Sequence, residues 1–455
     1  MIKKSYLTII LILLIIFFGI FLSLNKFSGK GYFSILNKFL SNNQIQQIQK
    51  YVLPYRFISQ QDEEINKLTN PYSRLELDFK NTEKDIQVAK MLNIKLSNNL
   101  ILNRYNLVNG FYSGINNEFP GSAFLDFHSN NLVILSARGI LGFTNNLNKE
   151  LNFKQIKNNI NEFIDIDQFR KHRWFSLKDL FILNNEIYIS YTQEIEENCW
   201  NTSIIRGAFN YNSIQFEKFF SPKNCILSIN NSEGEFNAHQ SGGRIINFDE
   251  NHILLSIGDY RNRFHGQDET SINGKVIMIN KNNSNYKIVS MGHRNPQGLY
   301  YIKDLDIIIN TEHGPKGGDE INVNHQKSNQ TPNYGWDIAS YGTTYSNKDI
   351  YKKSHSKYGF IEPLKYYVPS IGISQVLYMS NKFNEDNKKY LYVTSLRAGS
   401  IYVIEINDDF NQIINEDRIY FQQRIRDIDY DKENDLFFLI FENIPSIGVL
   451  KQSSE

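Results

Sequence analysis

A short unit recurs along this chain: an apolar strand, a polar turn, then a second apolar strand. Copies run Ala123–Ser136, Phe175–Tyr191, Arg244–Ile257, Leu299–Asn310, Val376–Thr394 and Ile425–Ile440. Their turns are rich in Asn, Asp and Glu, as at Ser129-Asn130-Asn131 and Asp249-Glu250-Asn251; the fifth is enlarged through Asn381–Lys389. No long helical pattern interrupts the series after residue 100. A strand pair buries only part of its apolar surface alone, so stacking several pairs around an axis is the economical solution. Six similar units favour an all-β, six-bladed β-propeller over a pair of sandwiches. The uneven spacing implies long inserted loops, and such loops are where propellers carry function.

Composition narrows the function classes. The 49 basic and 48 acidic residues nearly cancel, leaving a net charge of +1, which argues against a protein built mainly to wrap nucleic acid. Aromatics make up 14% of the 455 residues, enough to fill a large core and to exclude wholesale disorder. With two cysteines, Cys199 and Cys225, neither a multi-disulfide scaffold nor a four-cysteine zinc site can form.

Before the repeats the texture differs. Lys3 and Lys4 precede an uncharged apolar run from Tyr6 to Leu24. As a helix rising ~1.5 Å per residue, it nearly spans a bilayer core of ~30 Å. No small-residue cleavage pattern follows, so residues 1–25 read as a transmembrane anchor, with a cleaved signal segment as the rival. Either exports the remainder, placing the propeller on the extracytoplasmic, periplasmic side. In that oxidising setting Cys199 and Cys225 can pair; otherwise they are two buried thiols. Residues 26–100 form a polar, partly helical spacer, and residues 101–455 the propeller.

Chemistry-bearing residues concentrate in three stretches beside the strands. The first is Ala238-His239-Gln240-Ser241-Gly242-Gly243-Arg244, followed by Ser256-Ile257-Gly258-Asp259. The second is Gly292-His293-Arg294-Asn295-Pro296-Gln297-Gly298, then Glu312-His313-Gly314-Pro315-Lys316-Gly317-Gly318-Asp319-Glu320, then Asn333-Tyr334-Gly335-Trp336. The third is Ser395-Leu396-Arg397 with Arg424-Ile425-Arg426-Asp427. Alternation along a strand puts Arg424 and Arg426 on one face. Phosphate-loop, dinucleotide and His-Glu-x-x-His zinc motifs are absent from the sequence.

These blocks, in this order, resemble the glucose/sorbosone dehydrogenase family over about residues 230–445, more weakly over 100–230. The resemblance implies a six-bladed propeller that uses pyrroloquinoline quinone (PQQ) and calcium to oxidise a sugar, with electrons leaving to a respiratory acceptor. It makes His239 the base and Asp259 the carboxylate that orients it. Arg294, Asn295, Gln297, Arg397, Arg424 and Arg426 become the cofactor grip, with Arg294 also catalytic. Gly314 and Pro315 become the carbonyls that hold calcium, while Asp319 and Glu320 brace their loop. The residue types suit those roles. Imidazole titrates near neutrality, guanidinium forks match carboxylates, and calcium prefers oxygen ligands.

The chain also departs from the family pattern. Ala238 stands where the glucose enzymes carry an acidic residue, and Arg397 where they carry a lysine. Arg173-Trp174-Phe175-Ser176-Leu177-Lys178-Asp179 replaces a Gly-Leu-Leu-Gly motif. A glutamine expected upstream gives way to His172 and Arg173. Tyr366 and Tyr367 are the candidates for stacking on the quinone. Two other readings therefore stay open: a non-catalytic propeller that binds a glycan or protein, and a calcium-dependent lactonase-like hydrolase.

Overall fold

The computed structural model describes residues 86–452, apart from 97–98, 109–120, 145–146, 148–150, 172–173, 232–234, 327–329, 347 and 381–387. The apolar N-terminal run and most of the expected spacer lie outside these residues, as do His172 and Arg173. No described helix is long and apolar enough to cross a membrane.

Six sheets of four or five antiparallel strands form the blades of a propeller. Their inner strands are Ala123–His128, Leu177–Leu183, Gly242–Asn247, Pro296–Ile302, Ile373–Ser380 and Ile425–Asp431, taken in order as blades one to six. Each packs against the next, and blade six returns to blade one. All six copies read in the sequence are inner strand pairs.

Blade six is composite. Its C-terminal strands Leu436–Phe441 and Ser446–Gln452 pair in series, and Leu100–Val108 then adds to Ser446–Gln452, with Gln87–Lys95 outside it. Residues 87–95, expected in the spacer, are therefore the outer strand of a blade. Sewing both ends of the repeat region into one sheet closes the ring and covers what would be open edges.

The core lies between blades. Ile302, Ile309 and Ile321 of blade four pack on Val376, Leu391 and Ile404 of blade five. Tyr188 and Ile204 of blade two meet Ile253, Leu255 and Ile277 of blade three. Polar pins add to this packing near the axis. Asp126 accepts from the Ile182 amide of the next blade at 2.5 Å, and Asp179 from Ile245 at 2.6 Å. Asp427 accepts from Leu125 at 3.0 Å across the closure, and Gln375 from Leu299 at 3.1 Å.

Arg244 sits among these carboxylates. Its Nη1 lies 2.7 Å from Asp179 and 3.0 Å from Asp427, and all three side chains are buried. Burial pushes Asp179 up to about 7 against the pull of Arg244. Removing one partner of a buried ion pair costs about 3–5 kcal/mol, because a desolvated charge is left behind. Arg244→Ala is expected to lower unfolding stability by that amount in urea titration, and Arg244→Ala with Asp179→Asn by less than the single change.

Cys199 and Cys225 form a disulfide across 26 residues of chain. The bond ties the third strand of blade two to the segment that leads toward blade three. For a loop of this length, loop-closure entropy gives about 3 kcal/mol. Replacing both cysteines by serine should lower stability by that order, and peptide mapping without reductant should recover the linked peptides.

Candidate active site

In an antiparallel blade, the start of the inner strand and the end of the second strand share one edge. Gly242 pairs with Ile257, Pro296 with Glu312, and Ile425 with Phe441. The turns at 238–241, 292–295 and 423–424 therefore open on the same end of the ring as those at 258–262, 313–318 and 442–445. All three sequence stretches meet there.

A second local feature aims the side chains. The pairing shifts register at the start of the inner strand in every blade but the first. Lys178, Gln297 and Arg426 are single residues skipped by these shifts, in blades two, four and six. A bulge turns its residue out of the strand alternation. Arg424 and Arg426 thus converge through a turn and a bulge, rather than by sharing a face of a regular strand.

Both arginines converge on Glu442. Arg424 Nε donates to Oε2 at 2.9 Å and Arg426 Nε to Oε1 at 2.5 Å. Arg426 Nη1 also donates to Gln297 Oε1 at 2.7 Å, and Gln297 Nε2 donates to Asn295 Oδ1 at 3.0 Å. Asn295 Oδ1 accepts the Gly242 amide as well, at 3.2 Å, while its buried Nδ2 has no partner. Glu442 is fully buried. Desolvation alone would raise its pKa, but Arg426 and Arg424 hold it below the usual carboxylate range.

Arg294 lies on the other side of this group. Its backbone amide donates to Glu312 Oε2 at 2.6 Å. Its Nη1 donates to the carbonyls of His313 at 3.0 Å and Gly314 at 2.7 Å. The guanidinium lies 5.4 Å from the Trp336 ring. With its amide oriented to satisfy both neighbours, Gln240 accepts from Arg294 Nη2 and donates to Asp259 Oδ1, each at 2.9 Å.

His239 sits in the one-turn helix Ala238–Gln240, where the Asn237 side chain accepts its amide. Lys178 Nζ donates to the Ala238 carbonyl at 3.2 Å and to that of Trp174 at 3.0 Å. The Trp174 ring packs 5.3 Å from the imidazole. His239 Nδ1 is enclosed without a hydrogen-bond partner. Burial, then the charges of Arg294, His313, Lys178 and Arg426, hold His239 well below the ordinary 6.5. Lys178 is likewise depressed, by burial and by Arg426 and Arg138. His313 falls to about 4, through burial and the charges of Arg426, Arg294 and Arg424, opposed by Asp319. Such mutual shifts require these cations and imidazoles to be close together.

The remaining expected site residues are placed differently. Asp259 is buried and raised to about 6 by desolvation, but it does not hydrogen-bond His239. Its oxygens accept from Trp336 Nε1 and the Arg261 amide, both at 2.8 Å, and from Gln240. It orients Trp336 and Gln240 instead of the base. Arg397 is exposed and makes no side-chain hydrogen bond or ion pair with the described residues. Tyr366 stacks on Tyr341 at 3.7 Å and Tyr367 bonds Glu416, so neither lines the site.

Asp319 braces the Gly314 loop as expected. It accepts from Gly314 at 3.2 Å, Ser370 at 2.5 Å, Gly372 at 2.8 Å and Ile373 at 3.1 Å. Gly314 has no room for a side chain, since a Cβ would lie 2.0 Å from the Gly318 carbonyl. Lys178, Gln240, His313, Glu442 and Trp336 are the participants that the sequence reading did not select.

A cavity of about 330 Å³ adjoins the group, lined by Gln240, Arg294, Pro315 and Trp336 and also by Arg261, Arg263, Glu235, Tyr345 and Tyr351. The fixed donors of Arg294, Arg424, Arg426, Lys178 and Asn295 Nδ2 fit a planar polyanion such as PQQ. A calcium at Gly314 would have to share that carbonyl with Arg294 Nη1, which donates to it at 2.7 Å, and would face its guanidinium. Among the described residues, no three His, Cys, Asp or Glu side chains are grouped to hold a metal.

A six-bladed propeller with cations and a half-buried imidazole gathered at one mouth defines a class of anion-binding site. Residues 175–445 match the Glucose / Sorbosone dehydrogenase family, and the chain belongs to it. The chain is 29% identical over 219 residues to aldose sugar dehydrogenase YliI of Escherichia coli (strain K12), covering 44% of this chain and 57% of that protein. It is also 29% identical over 213 residues to quinoprotein glucose dehydrogenase B of Acinetobacter calcoaceticus, covering 38% and 42%. The match thus spans about half the length of these curated relatives. The fold is similar to that of the apo soluble aldose sugar dehydrogenase from Escherichia coli, with TM-score 0.59, 19% identity, and 77% and 99% of the two chains covered. It is similar also to the PQQ-bound aldose sugar dehydrogenase from Streptomyces coelicolor, with TM-score 0.54, 14% identity, and 81% and 98% covered.

The depressed His239 pKa has a defined sign. A folded value below the unfolded one keeps the ring neutral through pH 6.5, and it gains a proton only well below. In the PQQ-free protein, NMR titration of labelled histidine should find His239 uncharged at pH 6. Arg294→Gln should move its titration upward.

Proposed function

We propose that this protein oxidises an aldose-type sugar at its anomeric carbon, with PQQ as the electron acceptor. One observation carries the reading: a neutral, partly enclosed imidazole lies within electrostatic reach of Arg294, Lys178 and Arg426, and among the described residues Glu442 pairs with both Arg424 and Arg426. An excess of buried positive charge is costly unless a ligand supplies the missing anions. PQQ has three carboxylates, and family membership and the PQQ-bound relative support it as that ligand.

In this reading Arg424, Arg426 and Lys178 face the cofactor carboxylates, and Arg294 and Asn295 complete the grip. When bound, PQQ supplies the two-electron acceptor for the hydride leaving C1. His239 takes the C1 hydroxyl proton, because it is uncharged at neutral pH and has no internal hydrogen bond to surrender. Trp336, fixed by Asp259, gives the sugar an apolar face to lie on. Gln240 couples Asp259 to Arg294, so the base-side turn and the cofactor grip move together. No step is assigned to calcium.

The disulfide supports an oxidising compartment for the propeller. Membrane anchorage through residues 1–25 and delivery of electrons to a respiratory acceptor complete the proposal.

Titration with PQQ should shift the quinone absorption and raise the melting temperature, and adding aldoses should then bleach the oxidised spectrum. His239→Ala should retain PQQ binding but lower kcat about 10²–10⁴-fold, the usual contribution of a positioned base. Arg426→Ala should weaken PQQ binding instead. Failure to bind PQQ, or bound PQQ that no aldose reduces, would overturn the reading.

A further inference from the structure

The cavity lining has a charge balance of its own. Once Arg294 is assigned to the cofactor, the charged residues left on the lining are Arg261, Arg263 and Glu235. Both arginines lean on the same carboxylate oxygen. Arg261 Nε lies 2.8 Å and Arg263 Nη2 2.9 Å from Glu235 Oε2. A guanidinium carries five N–H donors in a planar fork. One shared oxygen therefore leaves most donors of both residues turned to the cavity or to solvent, with one positive charge in excess.

The backbone shows that this placement is built. Tyr260 and Arg261 are consecutive non-glycine residues with φ of 51° and 70°. Each costs of order 1 kcal/mol or more, and such strain persists only where its surroundings enforce it. Here the surroundings do. The Arg261 amide is held by Asp259 Oδ1 at 2.8 Å, and the Tyr260 hydroxyl lies 2.8 Å from Thr202 Oγ1 in the interior. The Tyr260 amide donates to Gln240 at 3.0 Å and its carbonyl accepts from Asn237 at 2.9 Å. The same Asp259 that fixes Trp336 thus fixes the turn presenting Arg261. Tyr345, 5.5 Å from the Arg261 guanidinium, flanks it.

We infer that the preferred substrate is an aldose bearing an anionic group away from C1, a sugar carboxylate or sugar phosphate, gripped by Arg261 and Arg263. The inference rests on the sugar dehydrogenase reading for its chemistry at C1 and adds what is recognised at the far end of the sugar. Fork-shaped donors match carboxylate and phosphate oxygens alike. An arginine pair competing for one weakly buried glutamate can exchange that contact for a ligand without leaving a buried charge unpaired.

The test uses the full chain loaded with PQQ and compares D-glucose, D-glucuronate and D-glucose 6-phosphate. The expected kcat/KM for at least one anionic sugar exceeds that for glucose about tenfold or more at low ionic strength, and the advantage shrinks as salt rises. Which anion leads separates the two sources. Arg261→Gln and Arg263→Gln, each checked for an unchanged melting temperature, should each lower the anionic-to-neutral ratio at least about threefold, acting mainly through KM.

Calorimetry of the same sugars on PQQ-free protein reads the selectivity without turnover, and the anionic sugar should again bind about tenfold tighter. Oxidation of glucose as well as or better than both anionic sugars would overturn the inference and leave the dehydrogenase reading standing. Equal calorimetric affinities would overturn it even if no sugar were oxidised, whereas failure of turnover with charge-selective binding intact would count against the dehydrogenase reading alone.

Discussion

Arg244 ties together four of the six blades. It belongs to blade three, and its guanidinium contacts Asp179 of blade two and Asp427 of blade six, while its Nε donates to the Gln297 carbonyl of blade four at 3.3 Å. Carboxylates are enclosed near the axis because their second oxygens pin neighbouring strands through backbone amides. Burial raises the pKa values of both carboxylates against the pull of Arg244, and the charge of Asp427 adds to the rise at Asp179. The ring accepts that cost because the pins set how neighbouring blades are aligned. Gln297 carries the same alignment outward, since its carbonyl meets Arg244 and its side chain meets Arg426. The floor of the site is thereby the top of the axial network.

The two ends of that network have opposite electrostatics. Near the axis, acidic groups outnumber the buried guanidinium and are pushed toward their neutral forms. At the mouth, burial and then the neighbouring cations push Lys178, His239 and His313 toward neutrality. A chain with a net charge of +1 can thus carry a strongly polarised interior. The polarity matters for the proposed chemistry. A polyanion entering the mouth meets donors already oriented, so little reorganisation is needed on binding. An imidazole kept neutral by those cations can serve as a proton acceptor without a carboxylate partner.

The fold was largely legible because its signal is periodic. Each of the six strand pairs read from the sequence is the inner half of a blade, since apolar alternation and Asn/Asp turns are local properties. The outer strand at 87–95 was not legible. Its partner is at the far end of the chain, and a polar edge strand has no apolar run to announce it. His239, Arg294, Asn295, Gln297, Arg424 and Arg426, which the fold gathers at one mouth, were legible as candidates because they lie in dense polar motifs beside strands. Glu442 was not, because it is a lone charged residue in an otherwise ordinary segment, and Lys178, though inside the Arg173–Asp179 stretch, gains meaning only from the bulge that positions it. Asp259 was found and given the wrong partner. Sequence order places it near the His239 block, but the fold turns its carboxylate toward Trp336.

The calcium expected at Gly314 and Pro315 would have to share a carbonyl with Arg294. Gly314 was selected for its backbone carbonyl, and the carbonyl does point into the site, where Arg294 takes it. The carbonyl oxygen has two lone pairs and can serve two partners, but a dication there would sit beside a like charge. Arg294 can leave the carbonyl only for a better acceptor, and a carboxylate is one, because charge-assisted hydrogen bonds are shorter and stronger than those to neutral carbonyls. A cation at Gly314 would therefore face less repulsion once an anion drew the Arg294 guanidinium away.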